Sequence, residues 1–321
     1  MTDLAFYQNR LHKNVRRLGK WAARDNITAL RVYDRDIPEF PLIVERFQTE
    51  AGVRVHLQEV DTGWQQSAAE HREWLDFIVE ATAQTLAVPP EHVAVKRRAR
   101  QRVQGDKSAQ YSATGRRGEE LVVLEAGHRF LLDLEAHLDT GLFLDHRATR
   151  ARVAAAAAGK RFLNLFAYTG SFTVYAACAG AQSSVSVDLS NTYLDWARRN
   201  WALNRIDATR HELVRADVST WLRGAVAQNL EFDLIVLDPP SFSNSKRMAG
   251  ILDVQRDHPW LIRQCLALLA RRGELFFSTN LRSFELDAQV QTRAQFQELS
   301  PQSIPEDFRD RRIHRLWHIR R

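Results

Sequence analysis

Residues 232–242, FDLIVLDPPSF, decide how this chain is read. Phe232, Leu234, Ile235, Val236 and Leu237 make a near-continuous apolar run, the pattern of a strand buried on both faces of a parallel sheet. Pro239 and Pro240 end it, because proline donates nothing to a sheet ladder and its fixed φ stiffens the chain around it. Ligands of open α/β sheets bind beyond the carboxyl ends of the strands. Asp238, Pro239, Pro240, Ser241 and Phe242 therefore stand where catalysis is expected. Taken alone, Asp-Pro-Pro is equally what a plain strand terminator looks like, so the rest of the chain must separate the two readings.

Working outward, apolar strands alternate with helices from about residue 140 to the end: RFLNLF, SVSVDLS, HELVRAD, FDLIVLD and GELFFST. That alternation predicts an α/β, Rossmann-like, doubly wound sheet with parallel strands at its centre. Upstream the character is different. A basic amphipathic helix over about 4–24 precedes short strands near TALRVYD, FPLIVERF and VRVHLQEV. A helix over 67–87, the strand VAVK and a hairpin of ELVVLEAG with HRFLLDLE follow. The expected organisation is a smaller N-terminal α+β domain, residues 1–135, and a second domain, residues 136–321.

Composition narrows the class. With 321 residues and 45% hydrophobic content the chain can bury a substantial core. No apolar run approaches membrane-spanning length and the amino terminus lacks a signal-peptide pattern, so a soluble cytoplasmic protein is expected. The two cysteines, Cys178 and Cys265, lie in apolar helical patterns and read as reduced core thiols. The eleven histidines show no ligand spacing to cysteine or carboxylate, so no metal is expected.

The net charge of +6 is concentrated. Between Lys96 and Arg117 eight basic residues face Asp106 alone; among them Lys96, Arg97, Arg98, Arg100 and Arg102 are candidate RNA contacts. A second basic set, Arg10, Lys13, Arg16, Arg17, Lys20 and Arg24, lines the first helix. Both suit a polyanion, and each taken alone also suits a merely solvated surface.

RFLNLF runs into AYTGSF and then a helix, so Gly170 allows a tight turn where the helix presents free amides. The next strand ends in Asp188, 18 residues past Gly170, near the spacing at which an acid grips ribose hydroxyls. A single glycine makes a poor pyrophosphate cradle, and S-adenosyl-L-methionine is a nucleoside ligand without phosphates. Asp217, at the third strand end, is placed either to meet adenine or to cap the helix beginning at Val218. Gly141, Asp145 and Arg147, just before the first helix of this domain, could close over the methionine end.

The stretches DTGLFLDHR (139–147), NLFAYTGSF (164–172), VDLS with NTYLDWARRN, and DPPSFSNSKRM followed by DVQRDH together resemble class I methyltransferases of bacterial large-subunit ribosomal RNA. They resemble in particular the carboxyl-terminal, guanine-N7 half of the bifunctional 23S rRNA guanine methyltransferase. The likeness runs from RLHKNVRRLGKWA to IHRLWHI, nearly the whole chain. The RNA-binding THUMP module and second methyltransferase that precede this unit in the bifunctional protein are not present in this sequence. The resemblance implies a class I methyltransferase sheet, S-adenosyl-L-methionine as cofactor, and 23S rRNA or a precursor of the large ribosomal subunit as partner. It implies that Asp188, with Leu189 and Ser190, holds the ribose, Asp217 the adenine, and Asn164, Phe166, Tyr168, Thr169, Gly170 and Ser171 the methionine moiety. Asp238 and Pro239 would lie between cofactor and base, Ser241, Phe242 and Asn244 would line the base pocket, and Lys246 and Arg247 would meet phosphate.

Guanine N7 carries an outward lone pair and needs no deprotonation, so positioning can supply most of the rate. Methylation of a pyrimidine carbon requires a cysteine nucleophile, and none follows Pro240; Ser278, Thr279 and Asn280 occupy the end of the fifth strand, and Cys265 lies on the apolar stripe Leu261, Cys265, Leu268. Methylation of the guanine exocyclic amine and a non-catalytic RNA-binding assembly factor on the same scaffold are the alternatives.

Overall fold

The computed structural model describes residues 4–60, 67–98, 119–137, 139–244 and 250–321, and the chain divides into two compact units. The first comprises Met1–Leu144 with Glu306–Arg309, the second Asp145–Pro305 with Asp310–Arg321. The division after Leu144 lies downstream of the 135/136 boundary expected from composition. Segment 306–309 joins the first unit because Asp307 accepts the Arg31 backbone N–H at 2.9 Å and the Phe308 ring lies under the Arg31 guanidinium at 4.2 Å.

In the first unit helix α1 (Leu4–Arg24) is followed by strands β1 (Ala29–Asp34), β2 (Leu42–Thr49) and β3 (Gly52–Val60). Helix α2 (Ala68–Leu86), β4 (Val93–Arg98), β5 (Glu120–Glu125) and β6 (His128–Asp133) complete it. The sheet order is β4-β3-β2-β5-β6, with β1 on β2. Tyr7, Leu11, Leu18 and Ala22 of α1 and Ile78 and Ala81 of α2 close its core. Helix α2 begins with a capping box: Ser67 accepts from the Glu70 N–H and Glu70 from the Ser67 N–H.

The second unit contains α3 (Arg147–Ala157), β7 (Arg161–Leu165), α4 (Ser171–Cys178), β8 (Ser183–Asp188), α5 (Asn191–Leu203), β9 (His211–Arg215), α6 (Val218–Ala227) and β10 (Phe232–Leu237). The short pair β11 (Phe242–Ser243) and β12 (Leu252–Asp253), then α7 (Val254–Leu268) and β13 (Leu269–Thr279), follow. The chain ends with α8 (Ala288–Gln291), β14 (Gln295–Glu298), α9 (Ser300–Ser303) and β15 (Arg315–Arg320). The sheet order is β14-β15-β13-β10-β7-β8-β9. The five strands from β9 to β13 are mutually parallel, and β15 and β14 are added antiparallel at one edge.

Strand β10 is apolar apart from Asp233 near its start, which pairs with Arg161, because it is covered twice. Ile235 and Leu237 pack with Leu222 of α6 and Leu261, Ile262 and Cys265 of α7. Leu234 and Val236 pack on the other face with Val153 of α3 and Phe172 and Ala176 of α4. Each such side chain, fully removed from water, contributes about 1.5–3 kcal/mol. This is a Rossmann-like α/β sheet, as the alternation of strands and helices predicts. Its antiparallel edge is not evident from sequence, because β15 draws its pattern from one neighbour on each side rather than from a helix repeat. Among the described residues no helix is long and apolar enough to cross a membrane.

Candidate active site

The strand order reverses at β7, whose neighbours are β8 on one side and β10 on the other. Such a switch point opens a crevice at the carboxyl ends of the strands, between diverging connections. Four segments emerge at that edge: Phe166–Gly170 after β7, Asp188–Ser190 after β8, Ala216–Asp217 after β9 and Asp238–Phe242 after β10. Backbone bonds tie them, Ala167 N–H to the Val187 carbonyl at 3.0 Å and Ala216 N–H to the Asp188 carbonyl at 3.1 Å.

The segment after β7 is backbone under tension. Phe166, Tyr168 and Gly170 all have left-handed φ, at 58°, 50° and 73°. For the two aromatic residues this costs on the order of 1–2 kcal/mol each, and it persists only where the surroundings over-determine it. They do so here. Asn200 of α5, fully buried, donates its side-chain N–H to the Thr169 carbonyl at 2.9 Å, and the Tyr168 ring packs edge-on against Tyr193 at 4.5 Å. A Cβ on Gly170 would stand 3.0 Å from the Ala197 Cβ, so glycine both adopts the turn and lets α5 close over it. Ser171 then starts α4, whose first amides face this turn.

Asp188 fastens the same loop from the next strand. Its carboxylate accepts the Tyr168 N–H at 2.9 Å and the Ser190 N–H at 2.8 Å, and the Ser190 hydroxyl caps α5. Burial pushes the Asp188 carboxyl up to about 6, against the lowering effect of the Ser190, Tyr168 and Leu189 amides. Leu189 and Ser190 sit half-buried beside it.

Two expected cofactor residues have their side chains engaged elsewhere. Asn164 is 1% exposed and donates to Thr173 Oγ1 at 3.0 Å, in a chain continued by Ser186 Oγ at 2.7 Å. It braces β7 against α4 and β8 beneath the loop rather than lining it. Asp217 caps α6, its carboxylate accepting the Thr220 N–H at 2.9 Å and the Thr220 hydroxyl at 2.8 Å.

Asp238 is the hub of a polar cluster that sequence spacing does not reveal. Ser278 Oγ, from the end of β13, donates to its Oδ1 at 2.5 Å, and His146 Nε2 lies 3.6 Å from its Oδ2. His146 Nε2 is also 3.8 Å from Asp145 Oδ2, and that oxygen is 2.8 Å from His314 Nδ1. The other nitrogen of His314 bonds Ser303 Oγ at 2.8 Å, and the two imidazoles stack at 4.5 Å. Burial lowers the His146 pKa, opposed by Asp238 and Asp145, which favours a neutral ring. Its Nδ1 is buried with no hydrogen-bond partner, so the Nε2–H tautomer directs the proton toward the two carboxylates. Contrary to the sequence expectation, carboxylate and histidine thus do meet: one donor atom each from Asp145, His146 and His314 lie within 4.8 Å of one another. The set closes through its own hydrogen bonds, because both His314 nitrogens have partners. Arg147 follows at the start of α3, half-buried.

Beyond Asp238, Pro239 is buried and Pro240 half-buried. The Ser241 carbonyl accepts the Val254 N–H at 3.1 Å, and Phe242 and Ser243 pair with Asp253 and Leu252. Asp253 caps α7. Asp-Pro-Pro therefore ends the strand and also launches a braced return that holds Phe242 half-buried at the sheet edge; Asn244 is exposed, and Lys246 and Arg247 lie outside the described residues.

Comparison with known proteins fits this geometry. A sequence profile of S-adenosylmethionine-dependent methyltransferases matches residues 66–295. The chain is 54% identical over 320 residues to ribosomal RNA large subunit methyltransferase K of Neisseria meningitidis, covering 100% of this chain and 88% of that protein. This chain belongs to the ribosomal RNA large subunit methyltransferase K/L family. It is also 49% identical over 314 residues to the K/L protein of Pseudomonas aeruginosa, but spans only 42% of that longer relative. Among solved structures, a SAM-dependent methyltransferase from Streptococcus mutans superposes with TM-score 0.77 at 25% identity, covering 100% of this chain and 82% of that one. Another methyltransferase, solved with SAH, gives 0.76 at 24% identity with the same coverage.

S-adenosylmethionine is the cofactor of this methyltransferase, and the residues present fit it: a carboxylate at the end of β8, a single-glycine turn and helix amides, without a glycine-rich phosphate cradle. The RNA candidates fare unevenly. Lys96 is 8% exposed, with its ammonium donating to the His137 carbonyl and its pKa lowered by burial to about 8. Its side chain lies on the face of β4 opposite Val93 and Val95 and is buried there against the His137 carbonyl. Arg97 points the other way, exposed and 3.7 Å from Glu59. The Arg98 side chain, Arg100 and Arg102 lie outside the described residues. Cys265 is fully buried, which raises its thiol pKa, whereas Cys178, at the last turn of α4, is exposed rather than packed in the core.

Proposed function

We propose that this methyltransferase modifies 23S rRNA, or a precursor of the large ribosomal subunit, at N7 of a guanosine by direct transfer. The observation that carries this reading is the Asp238 segment: a carboxylate fixed by Ser278 beside an exposed sheet edge, with no thiol in reach of it. The chain's two cysteines are Cys178 and Cys265. Cys178 lies at the opposite end of α4 from the first turn that faces the site, and Cys265 is buried on the core face of α7, so a covalent adduct at a pyrimidine carbon has no nucleophile.

When bound, S-adenosylmethionine supplies a methyl group on a sulfonium. In this reading Asp188 accepts hydrogen bonds from the ribose hydroxyls and Leu189 and Ser190 support it. Asp217 stands near the adenine, and Phe166, Tyr168, Thr169, Gly170 and Ser171, with Asp145 and Arg147, enclose the methionine. Phe242 stacks on the target base, withdrawn from its helix, and Ser241 and Asn244 border it. Guanine N7 would attack in line through its existing lone pair, so no side chain would have to remove a proton first. As the N–C bond formed the methyl–sulfur bond would break, its electron pair returning to sulfur to leave neutral-sulfur S-adenosylhomocysteine; the positive charge would then lie on the purine, where the Asp238 carboxylate, held from rotating by Ser278, would stabilise it.

The direct test is to map methylation on large-subunit RNA from a deletion strain with and without this chain restored. A guanine N7 mark that vanishes on deletion and returns on restoration is expected; no such change would remove the N7 assignment.

Asp188 also predicts a pH dependence. Its carboxyl, raised to about 6 in the free protein, must be ionised to accept from two hydroxyls. Cofactor affinity measured by calorimetry is therefore high above pH 7 and falls as pH drops through about 6, approaching a tenfold loss per unit below that. An affinity constant from pH 8 to pH 5 would show that this carboxylate does not bind the ribose.

A further inference from the structure

Helix α1 carries no acidic residue along Leu4–Arg24, yet holds Arg10, Lys13, Arg16, Arg17, Lys20 and Arg24, all exposed. At 100° per residue these six fall within an arc of about 120°, a stripe about 21 Å long from Arg10 to Arg24. Arg17 pairs with Glu306 at 3.3 Å and Arg24 with Asp25 at 2.7 Å, both remaining largely in solvent. Among the described residues Arg10, Lys13, Arg16 and Lys20 make no ion pair. On the same stripe, one turn before Arg10, Phe6 is 62% exposed. An aromatic ring left in water at the end of a cationic row is the combination that grips a nucleic-acid strand, cations on phosphates and ring on an unstacked base.

We propose that this face of α1 docks structured RNA, with backbone phosphates along Arg10–Arg24 and an unpaired base on Phe6; the proposal rests on the reading that the chain acts on ribosomal RNA. A lipid surface is the other polyanion a basic amphipathic helix can meet, but it requires a free apolar face. The apolar face of α1 is already used: Tyr7, Leu11, Leu18 and Ala22 are buried in the first unit's core, and the Tyr7 hydroxyl bonds Thr82 at 2.7 Å. The burial of Lys96 points the same way, since one cation of the other basic segment is committed to the fold.

The test titrates the full chain with a fluorescent stem-loop from 23S rRNA, the same stem as a fully paired duplex, and anionic phospholipid vesicles. R10Q/K13Q/R16Q/K20Q, which spares both paired arginines, should bind stem-loop and duplex at least about tenfold more weakly. Its slope of log affinity against log salt should be shallower by about 3, the share of four phosphate contacts. F6A should lose about 5- to 100-fold on the stem-loop with an unchanged slope, and nothing on the duplex. Both variants should bind S-adenosylmethionine like the parent, which reports that they are folded. An unchanged slope and affinity in the quadruple variant, an equal loss by F6A on duplex, or tighter binding to vesicles than to RNA would each overturn the proposal. Methyl transfer by the parent chain is read in parallel. Transfer with unaltered binding by the variants sinks the docking helix alone, whereas weakened binding with no transfer by the parent sinks the catalytic reading alone.

Discussion

Asp238→Asn lowers methyl transfer to 23S rRNA by about 10²- to 10³-fold in kcat, the loss typical of removing one preorganised group from a developing charge. The substitution keeps shape and keeps an acceptor for Ser278, so β10 and β13 stay joined at their ends. What disappears is the negative charge. In the proposed reaction positive charge leaves the sulfonium and arrives on the purine, and a fixed carboxylate there is stronger than in water because the site is partly dry. His146, 3.6 Å from Asp238 Oδ2, cannot replace it, since an imidazole is neutral or cationic and never supplies a negative charge. The measurement is single-turnover transfer from labelled cofactor, with cofactor affinity by calorimetry in the same samples. A rate within about tenfold of the parent would show that Asp238 only ends a strand.

Asp188→Asn separates binding from stability. An amide offers one neutral acceptor oxygen in place of two ionised ones, so cofactor affinity falls about 100-fold, two charge-assisted bonds each weakened by about 1–2 kcal/mol. Stability moves the other way. The carboxyl is raised from 3.8 to about 6 on folding, so its protonated form is the one the fold prefers. Its unfavourable contribution is absent below pH 4, grows as pH rises through about 6, and above that reaches up to about 3 kcal/mol. Asparagine removes this cost and gives up one of the two backbone acceptor bonds, worth about 1–1.5 kcal/mol. The balance predicts a melting temperature a few degrees higher at pH 8 and a few degrees lower than the parent's near pH 4, where only the lost acceptor bond remains. A lower melting temperature at pH 8 would show that the loop needs the carboxylate for its fold rather than for its ligand.

How far each part was legible in the sequence follows the range of the forces involved. Strand β10, the helices α1 and α2, the turn at Gly170 and the three strand-end acids Asp188, Asp217 and Asp238 could be read from local pattern. Period, capping chemistry and proline geometry are set within a few residues of where they act. The choice at Asp217 between cap and adenine contact needed coordinates, because both roles use the same position. So did Lys96: within an arginine-rich run its sequence neighbours are solvent-seeking, and only the folded chain brings the His137 carbonyl, 41 residues on, against its ammonium.

The sequence by itself determined the kind of fold and the edge of the sheet at which chemistry would be found, since twice-covered strands must be apolar and must stop at a turn. Only the tertiary structure decided what surrounds Asp238. Asp145, His146, Ser278, Ser303 and His314 come from four separate stretches of chain, and they meet because the strand order β15-β13-β10-β7 brings their ends together. That order is fixed by which apolar faces can be buried at once, a property of the whole core that no window of sequence contains.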